Sequence, residues 1–240
     1  MNVNKQTLKE DVQSTKDVHP KPPTEPSTLP DAPKSIAIIT CSTRPSRIGH
    51  FIAQHVTSSL SSTLSASTNL NLNLRISSID LASDPLPLLN EPAIPAHFPA
   101  SNPTSHYAHA HSRAWSAEIR QHVAFVFVTP QYNWGYPASI KNALDYLYHE
   151  WGWKPAFVVS YGNRGGGLAA AQLVQVCKGL RMKAMERTVG YKTKVEEAEG
   201  VKENGGFSEE RMEVWRTEGV DEELKKGFDE LLGLLIDGMR

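Results

Sequence analysis

The chain has 240 residues, 40% of them apolar, with 25 basic and 26 acidic side chains and a formal net charge of −1. That balance excludes a strongly basic nucleic-acid binder or a polybasic membrane-surface protein, although a local anion site needs only a few donors. Two cysteines, Cys41 and Cys177, are too few for a disulfide framework and suit a reducing compartment. No apolar run approaches the roughly 20 residues that span a bilayer. No signal-like apolar stretch opens the chain, and Glu10, Asp11 and Asp17 argue against a transit peptide. A cytoplasmic protein with no nucleic-acid or membrane partner is expected.

Residues 1–33 are polar and carry prolines at 20, 22, 23, 26, 30 and 33. They cannot bury enough apolar surface to offset ordering entropy, and a disordered tail is expected. A single domain is expected over residues 34–240. Ile36-Ala-Ile-Ile39 reads as a buried parallel strand. After a loop at 40–49, Ile48, Phe51, Ile52, Val56, Leu60 and Leu64 fall at helical spacing. Ser/Thr/Asn-rich residues 61–69 read as a linker.

A second strand is expected from Leu70 to Asp80, then a proline-rich extended excursion over residues 84–105. A short helix at 114–121 leads into a third strand at 123–129. After Pro137, a helix places Ile140, Leu144, Leu147, Tyr148 and Trp151 on its apolar face. Ala156-Phe-Val-Val-Ser160 is a fourth buried strand, and Leu168, Leu173, Val176, Cys177 and Leu180 mark the helix after it. A weak fifth strand at 183–190, a charged surface insertion at 192–207 and a last helix from Ser208 to Met239, breakable at Gly219, complete the chain. Strands alternating with helices predict an α/β fold: a flavodoxin-like, doubly wound, five-stranded parallel sheet in order 2-1-3-4-5, flanked by helices. Periodicity alone leaves a Rossmann order open.

In such a sheet the loops after strands one, three and four emerge on one edge. The first, Thr40-Cys-Ser-Thr-Arg-Pro-Ser-Arg-Ile-Gly49, joins hydroxyls and two arginines to a helix amino terminus. Free amides and the positive end of the helix suit an anion there, with Ser42, Arg44 and Arg47 as donors. It lacks both the P-loop and the Gly-x-Gly-x-x-Gly pattern, so a terminal phosphate monoester fits better than a pyrophosphate. The competing reading is an ordinary strand–helix connection with surface arginines. In the third loop, Asn133, Gly135 and Pro137 permit a tight turn, and Tyr132, Trp134 and Tyr136 offer flat surfaces for a heteroaromatic ring or fill the helix–sheet seam. The fourth, Tyr161-Gly-Asn-Arg-Gly-Gly-Gly167, lets backbone approach a ligand closely. One anion cradle with two loops suited to a flat ring describes a phosphorylated planar cofactor, and flavin mononucleotide (FMN) fits better than a dinucleotide.

Three motifs occur in order: Cys41-Ser-Thr-Arg-Pro-Ser-Arg47; Pro130-Gln-Tyr-Asn133 running into Ile140-Lys-Asn-Ala-Leu-Asp145; and Ser160-Tyr-Gly-Asn-Arg-Gly-Gly166. With them, residues 34–190 resemble the NADPH-dependent FMN reductase family. The resemblance implies that Ser42, Arg44 and Arg47 hold the FMN phosphate. It implies that Pro130, Gln131, Tyr132 and Asn133 line the isoalloxazine, with Tyr161, Gly162 and Gly165 on its other edge. It also implies hydride transfer from NADPH through FMN to a small electron acceptor, such as a quinone, azo compound, metal ion or free flavin. The cofactor carries that chemistry, so no side chain is assigned as catalytic. A homodimer or higher homo-oligomer is implied as well. Cys41, Gln131 and Asn163-Arg164 depart from the usual glycine, glutamate and glycine-rich loop.

A non-enzymatic FMN electron carrier of flavodoxin type is the alternative function, and a protein that kept the fold without the flavin is a third. Arg164 is either a charge near the ring or a solvated loop arginine. His97, His106, His109 and His111 lie in a proline-rich segment without a scaffold for a metal site. None is assigned as a ligand.

Overall fold

The computed structural model describes residues 34–66, 73–194 and 196–238. The expected tail at 1–33 and the start of the expected second strand at 70–72 lie outside them. Five strands, β1 (Lys34–Thr40), β2 (Leu74–Asp80), β3 (His122–Pro130), β4 (Pro155–Gly162) and β5 (Lys183–Lys192), form one sheet. All pairings are parallel and the order is β2-β1-β3-β4-β5, the flavodoxin-like order expected.

Strand alternation divides the core into two layers. Ile36, Ile38, Ala124, Val126 and Val128 face α1 (Gly49–Ala66) and a carboxyl-terminal helix; Ala37, Ile39, Phe125 and Phe127 face the helices on the other side. That is why β1, β3 and β4 are apolar at nearly every position: helices cover both sides of each. β5 alternates between buried and exposed because it is an edge strand, which explains its weak signal.

Four boundaries differ from the sequence expectation. α1 continues through Ala66, so the serine-rich stretch at 61–66 is helix and not linker. There Ser61, Ser62 and Ser65 donate to the carbonyls of Thr57, Ser58 and Ser61, which keeps hydroxyls that otherwise compete with a helix inside it. α2 (Ala110–Arg120) starts earlier than expected, because Glu91 accepts from the amides of Ala108 and His109 just before its first turn. α3 (Ala138–Asp145) stops early, and Leu147 and Trp151 are buried from the loop after it.

The fourth difference is the stretch at 192–207. It is no simple surface insertion: it holds α5 (Glu197–Glu203), with Thr193 and Val201 buried and Arg211 paired with Glu197. The last helix breaks where expected, into α6 (Glu209–Thr217) and α7 (Val220–Asp237), with Gly219 between them at φ 73°. α4 (Gly167–Gly179) follows β4. Among the described residues no helix is long and apolar enough to cross a membrane.

Candidate active site

The carboxyl edge of the sheet opens into a cleft of about 1010 Å³. Eight of the ten residues expected to bind cofactor line it: Arg44, Arg47, Pro130, Gln131, Tyr132, Asn133, Tyr161 and Gly162. Ser42 and Gly165 do not. Ser42 lies beneath the cleft, fully buried, and Gly165 is buried with its backbone close to Gly190.

The β1–α1 loop brings α1 down tightly onto the sheet. A Cβ on Gly49 would collide with both Ser42 Oγ and the Tyr161 hydroxyl, so only glycine permits this approach. Burial pushes the pKa of the Tyr161 hydroxyl up, and the neighbouring Ser42 hydroxyl offsets that only in part. Among the described residues, Arg47 Nε and His50 Nδ1 are buried and reach no hydrogen-bond partner, and Ser42 Oγ has only the neighbouring Tyr161 hydroxyl, short of good hydrogen-bond geometry. Buried polar atoms are normally paired, so three open ones around one helix terminus need an account. The Arg47 terminal nitrogen donates to Asp80 at 2.6 Å, which fixes the guanidinium from the end of β2. Arg44 is exposed and stacks 4.0 Å above the Tyr132 ring.

The β3–α3 loop turns back on itself. Tyr132 N donates to Gly135 O at 2.8 Å and Gly135 N to Tyr132 O at 3.0 Å, with Asn133 and Trp134 at φ 46° and 70°. These are the signs of a two-residue type I′ turn. Pro137 sits at the amino cap of α3, one place before the first helical position. Gln131 points the other way: its Oε1 accepts from Leu168 N at 3.1 Å and Ala169 N at 3.3 Å, occupying the amino terminus of α4.

The β4–α4 loop is held from below. Ser160 Oγ donates to Gly165 O at 2.7 Å, and Gly165 and Gly166 both take positive φ. A Cβ on Gly162 would meet only the Gln131 Cβ, at 3.9 Å, so the space over this backbone is open to a ligand.

The reading from residue types missed the fourth wall. Thr193, Lys194 and Ala198 also line the cleft, because β5 ends beside the β4 loop and Thr193 N donates to Gly162 O at 3.1 Å. A threonine, a lysine and an alanine in a charged stretch carry no signature. The only available signal was position: these residues follow a strand of the same sheet. Among the described residues, the charged side chains lining the cleft are Arg44, Arg47, Arg164 and Lys194, with no carboxylate among them. In a chain of net charge −1 this is a local concentration of positive charge on the ligand side.

Cys41, beside these groups, is fully buried, and burial drives its thiol pKa well up, as for a packed side chain and not a reactive thiolate. Among the described residues no group of three or more histidine, cysteine or carboxylate side chains is placed to hold a metal.

A parallel sheet in this order, with a basic cleft at its carboxyl edge, defines a flavodoxin-like fold. The chain belongs to the NADPH-dependent FMN reductase family, whose model matches residues 35–195, and it is an oxidoreductase. It is 41% identical over 149 residues to the NAD(P)H-dependent FMN reductase LOT6 of Saccharomyces cerevisiae, covering 61% of this chain and 75% of that one. It is 34% identical over 205 residues to the NAD(P)H-dependent FMN reductase ntnL of a Nectria species, covering 83% and 96%. Among solved structures, it superposes on FerB, a flavoenzyme NAD(P)H:(acceptor) oxidoreductase from Paracoccus denitrificans. The TM-score is 0.58 at 20% identity, over 85% of this chain and 98% of that one. That likeness speaks for the fold.

Proposed function

We propose that this oxidoreductase holds FMN in the carboxyl-edge cleft and uses NADPH to reduce a small acceptor: a quinone, an azo compound, a metal ion or free flavin. The observation that carries the reading is the convergence of four loops on one cleft whose described charged lining is wholly cationic, beside buried polar atoms that lack well-formed hydrogen bonds. Bound FMN would supply the redox chemistry, taking a hydride from the nicotinamide and passing electrons onward. With a quinone the balance is NADPH, quinone and one proton giving NADP⁺ and hydroquinone.

The chain's own residues bind, orient and shield. The amino terminus of α1, Arg44 and Arg47 would take the phosphate, with Ser42 and His50 completing the cradle from beneath. α1 has no acidic residue in its first turn, so its positive end is not neutralised. The amino terminus of α4 is a poorer choice, since Gln131 already uses two of its amides. Pro130 to Asn133 and Tyr161 to Gly162 would flank the ring, and the buried Gly165 would set the turn that brings Gly162 to it. Arg164 and Lys194, on the far side of the cleft from Arg44 and Arg47, would face further anionic groups of the nucleotide. A cytoplasmic location and a homodimer belong to the same reading. Exposed Leu88 and Ile94, at 85% and 61%, are candidates for the contact between copies, which sedimentation would test.

Reconstitution with FMN should give a yellow protein whose visible flavin band bleaches on addition of NADPH and returns with a quinone. Bound flavin that NADPH leaves oxidised would favour an electron carrier instead. Failure to take up FMN would sink both.

A further inference from the structure

Trp134 stands in a conformation that bulky L-residues rarely adopt. It occupies the second central position of the Tyr132–Gly135 turn at φ 70°. Type I′ turns favour Asn-Gly at these two positions because both need positive φ. Asn133 obeys the preference and Trp134 breaks it. A bulky side chain at positive φ is a genuine outlier, and such strain persists where function keeps it.

The indole does not repay the strain by packing. It is 67% exposed, and none of the described aromatic rings lies against it. What the fold does hold is the backbone: Gln172 Nε2 donates to the Trp134 carbonyl at 3.2 Å, and a Cβ on Gly135 would fall 3.0 Å from Gln172 Oε1. The turn is thereby clamped to α4 from behind. The ring, projecting from a clamped turn, lines the cleft beside Tyr132 and Asn133.

We propose that Trp134 is a specificity residue that stacks on the flat ring of the electron acceptor, so that the enzyme favours planar bicyclic quinones over compact, non-planar oxidants. The inference rests on the proposed FMN-dependent activity and names the acceptor class of the same cleft. An indole presents a wide, polarisable face with few rotatable bonds, and an offset-stacked aromatic pair accounts for about a threefold to tenfold change in affinity. A residue serving the fold at this position would be glycine. A residue serving a flat ligand is an exposed aromatic fixed at the rim.

The test compares a naphthoquinone with ferricyanide as acceptors for the FMN-loaded enzyme, with NADPH as donor, in wild type, Trp134→Gly and Trp134→Phe. In Trp134→Gly the ratio of kcat/KM for naphthoquinone to that for ferricyanide should fall about tenfold, through KM for the quinone. Trp134→Phe should restore the ratio to within about threefold of wild type. Because glycine relieves the strain as the few ring contacts are lost, Tm should stay within roughly 2 °C. An unchanged ratio, or a rise in KM confined to NADPH, would overturn the proposal. So would a Tm loss above roughly 6 °C, which would make the ring structural, or a change of oligomeric mass, which would place it between copies. A wild-type protein that takes up no FMN and reduces neither acceptor would instead overturn the underlying activity.

Discussion

The two edges of the sheet treat the same kinds of atom in opposite ways. At the amino edge, the buried groups around Glu150 and His122 are paired, although His149 Nε2 in the loop before β4 is not. Glu150, 3% exposed, accepts from the Tyr107 hydroxyl at 3.0 Å, Ser116 Oγ at 2.6 Å and Tyr148 N at 3.2 Å. His122, equally buried, meets Ser35 Oγ at 2.8 Å and Glu118 at 3.1 Å. At the carboxyl edge, Ser42 Oγ, Arg47 Nε and His50 Nδ1 are left open, and Arg164 and Lys194 line the cleft without a carboxylate beside them in its wall. One chain meets both conditions. The open groups at the carboxyl edge cluster around one helix terminus beside the cleft, so they are placed where a ligand can complete them.

The largest effect that could break this contrast is at Glu150. Replacing it with alanine strands the Tyr107 hydroxyl and the Tyr148 amide and leaves Ser116 Oγ with Thr104 Oγ1 alone. It should cost about 3 kcal/mol, or roughly 6–12 °C of Tm, read by thermal or urea unfolding. FMN affinity per folded molecule should hold, because this carboxylate lies at the other end of the sheet. A Glu150→Ala protein of normal stability that had lost FMN would reverse the assignment of the two edges.

Arg44 should behave the opposite way. Its guanidinium is exposed and stacked on one ring, so Arg44→Ala should leave Tm within roughly 2 °C while weakening FMN binding about tenfold to a hundredfold. Fluorescence titration of the apoprotein measures it. Equal affinity would move the phosphate away from the β1–α1 loop. Arg47 is a less clean probe, since its removal also frees Asp80.

The legibility of the chain follows the same contrast. β1, β3 and β4 were readable because a strand covered on both sides must be apolar at nearly every position, and the loops after them carry residue types that serve ligands and little else. The glycine break between α6 and α7 was readable because Gly219 needs positive φ. What resisted reading depends on tertiary contacts. Serines at 61–66 signal a linker until their hydroxyls bond back into α1, and Leu147 and Trp151 look helical because they are buried, though from a loop. Thr193, Lys194 and Ala198 enter the cleft only because β5 ends beside the β4 loop. The roles of Glu150 and of Gln131 as a helix cap exist only in the tertiary structure, since nothing local in the chain pairs either with its partners.

Lys154 sharpens the picture at the amino edge. Its ammonium donates to Ile119 O at 2.9 Å, yet burial drives its pKa down to about 7, with attraction to Glu150 only partly restoring it. The unfolded value is about 10.4. Between those two pH values the unfolded chain holds a proton that the folded chain has shed, so this group makes stability rise as pH rises from 7 towards 10. Below pH 7 both states are protonated and the burden of a desolvated charge is fully present. Lys154→Met should therefore flatten the rise in stability across that window. A slope identical to wild type would show the ammonium to be hydrated in solution.

The smallest effect discriminates between the two helix termini that share the cleft. α1 leaves its amino terminus free of acidic side chains and beside two arginines, whereas α4 is capped by Gln131 through two amides. Gln131→Glu keeps the acceptor and adds a negative charge at the positive end of α4, which should stabilise the fold by about 0.5 kcal/mol, or roughly 1–2 °C. If the phosphate sits at α1, FMN affinity should change by less than about threefold, because the new charge is taken up by α4. If the phosphate sits at α4, the carboxylate would occupy its place, and affinity should collapse while Tm still rises. The same titration used for Arg44→Ala reads the difference, and the two variants must agree: a phosphate lost with Arg44 and kept with Glu at 131 belongs to α1.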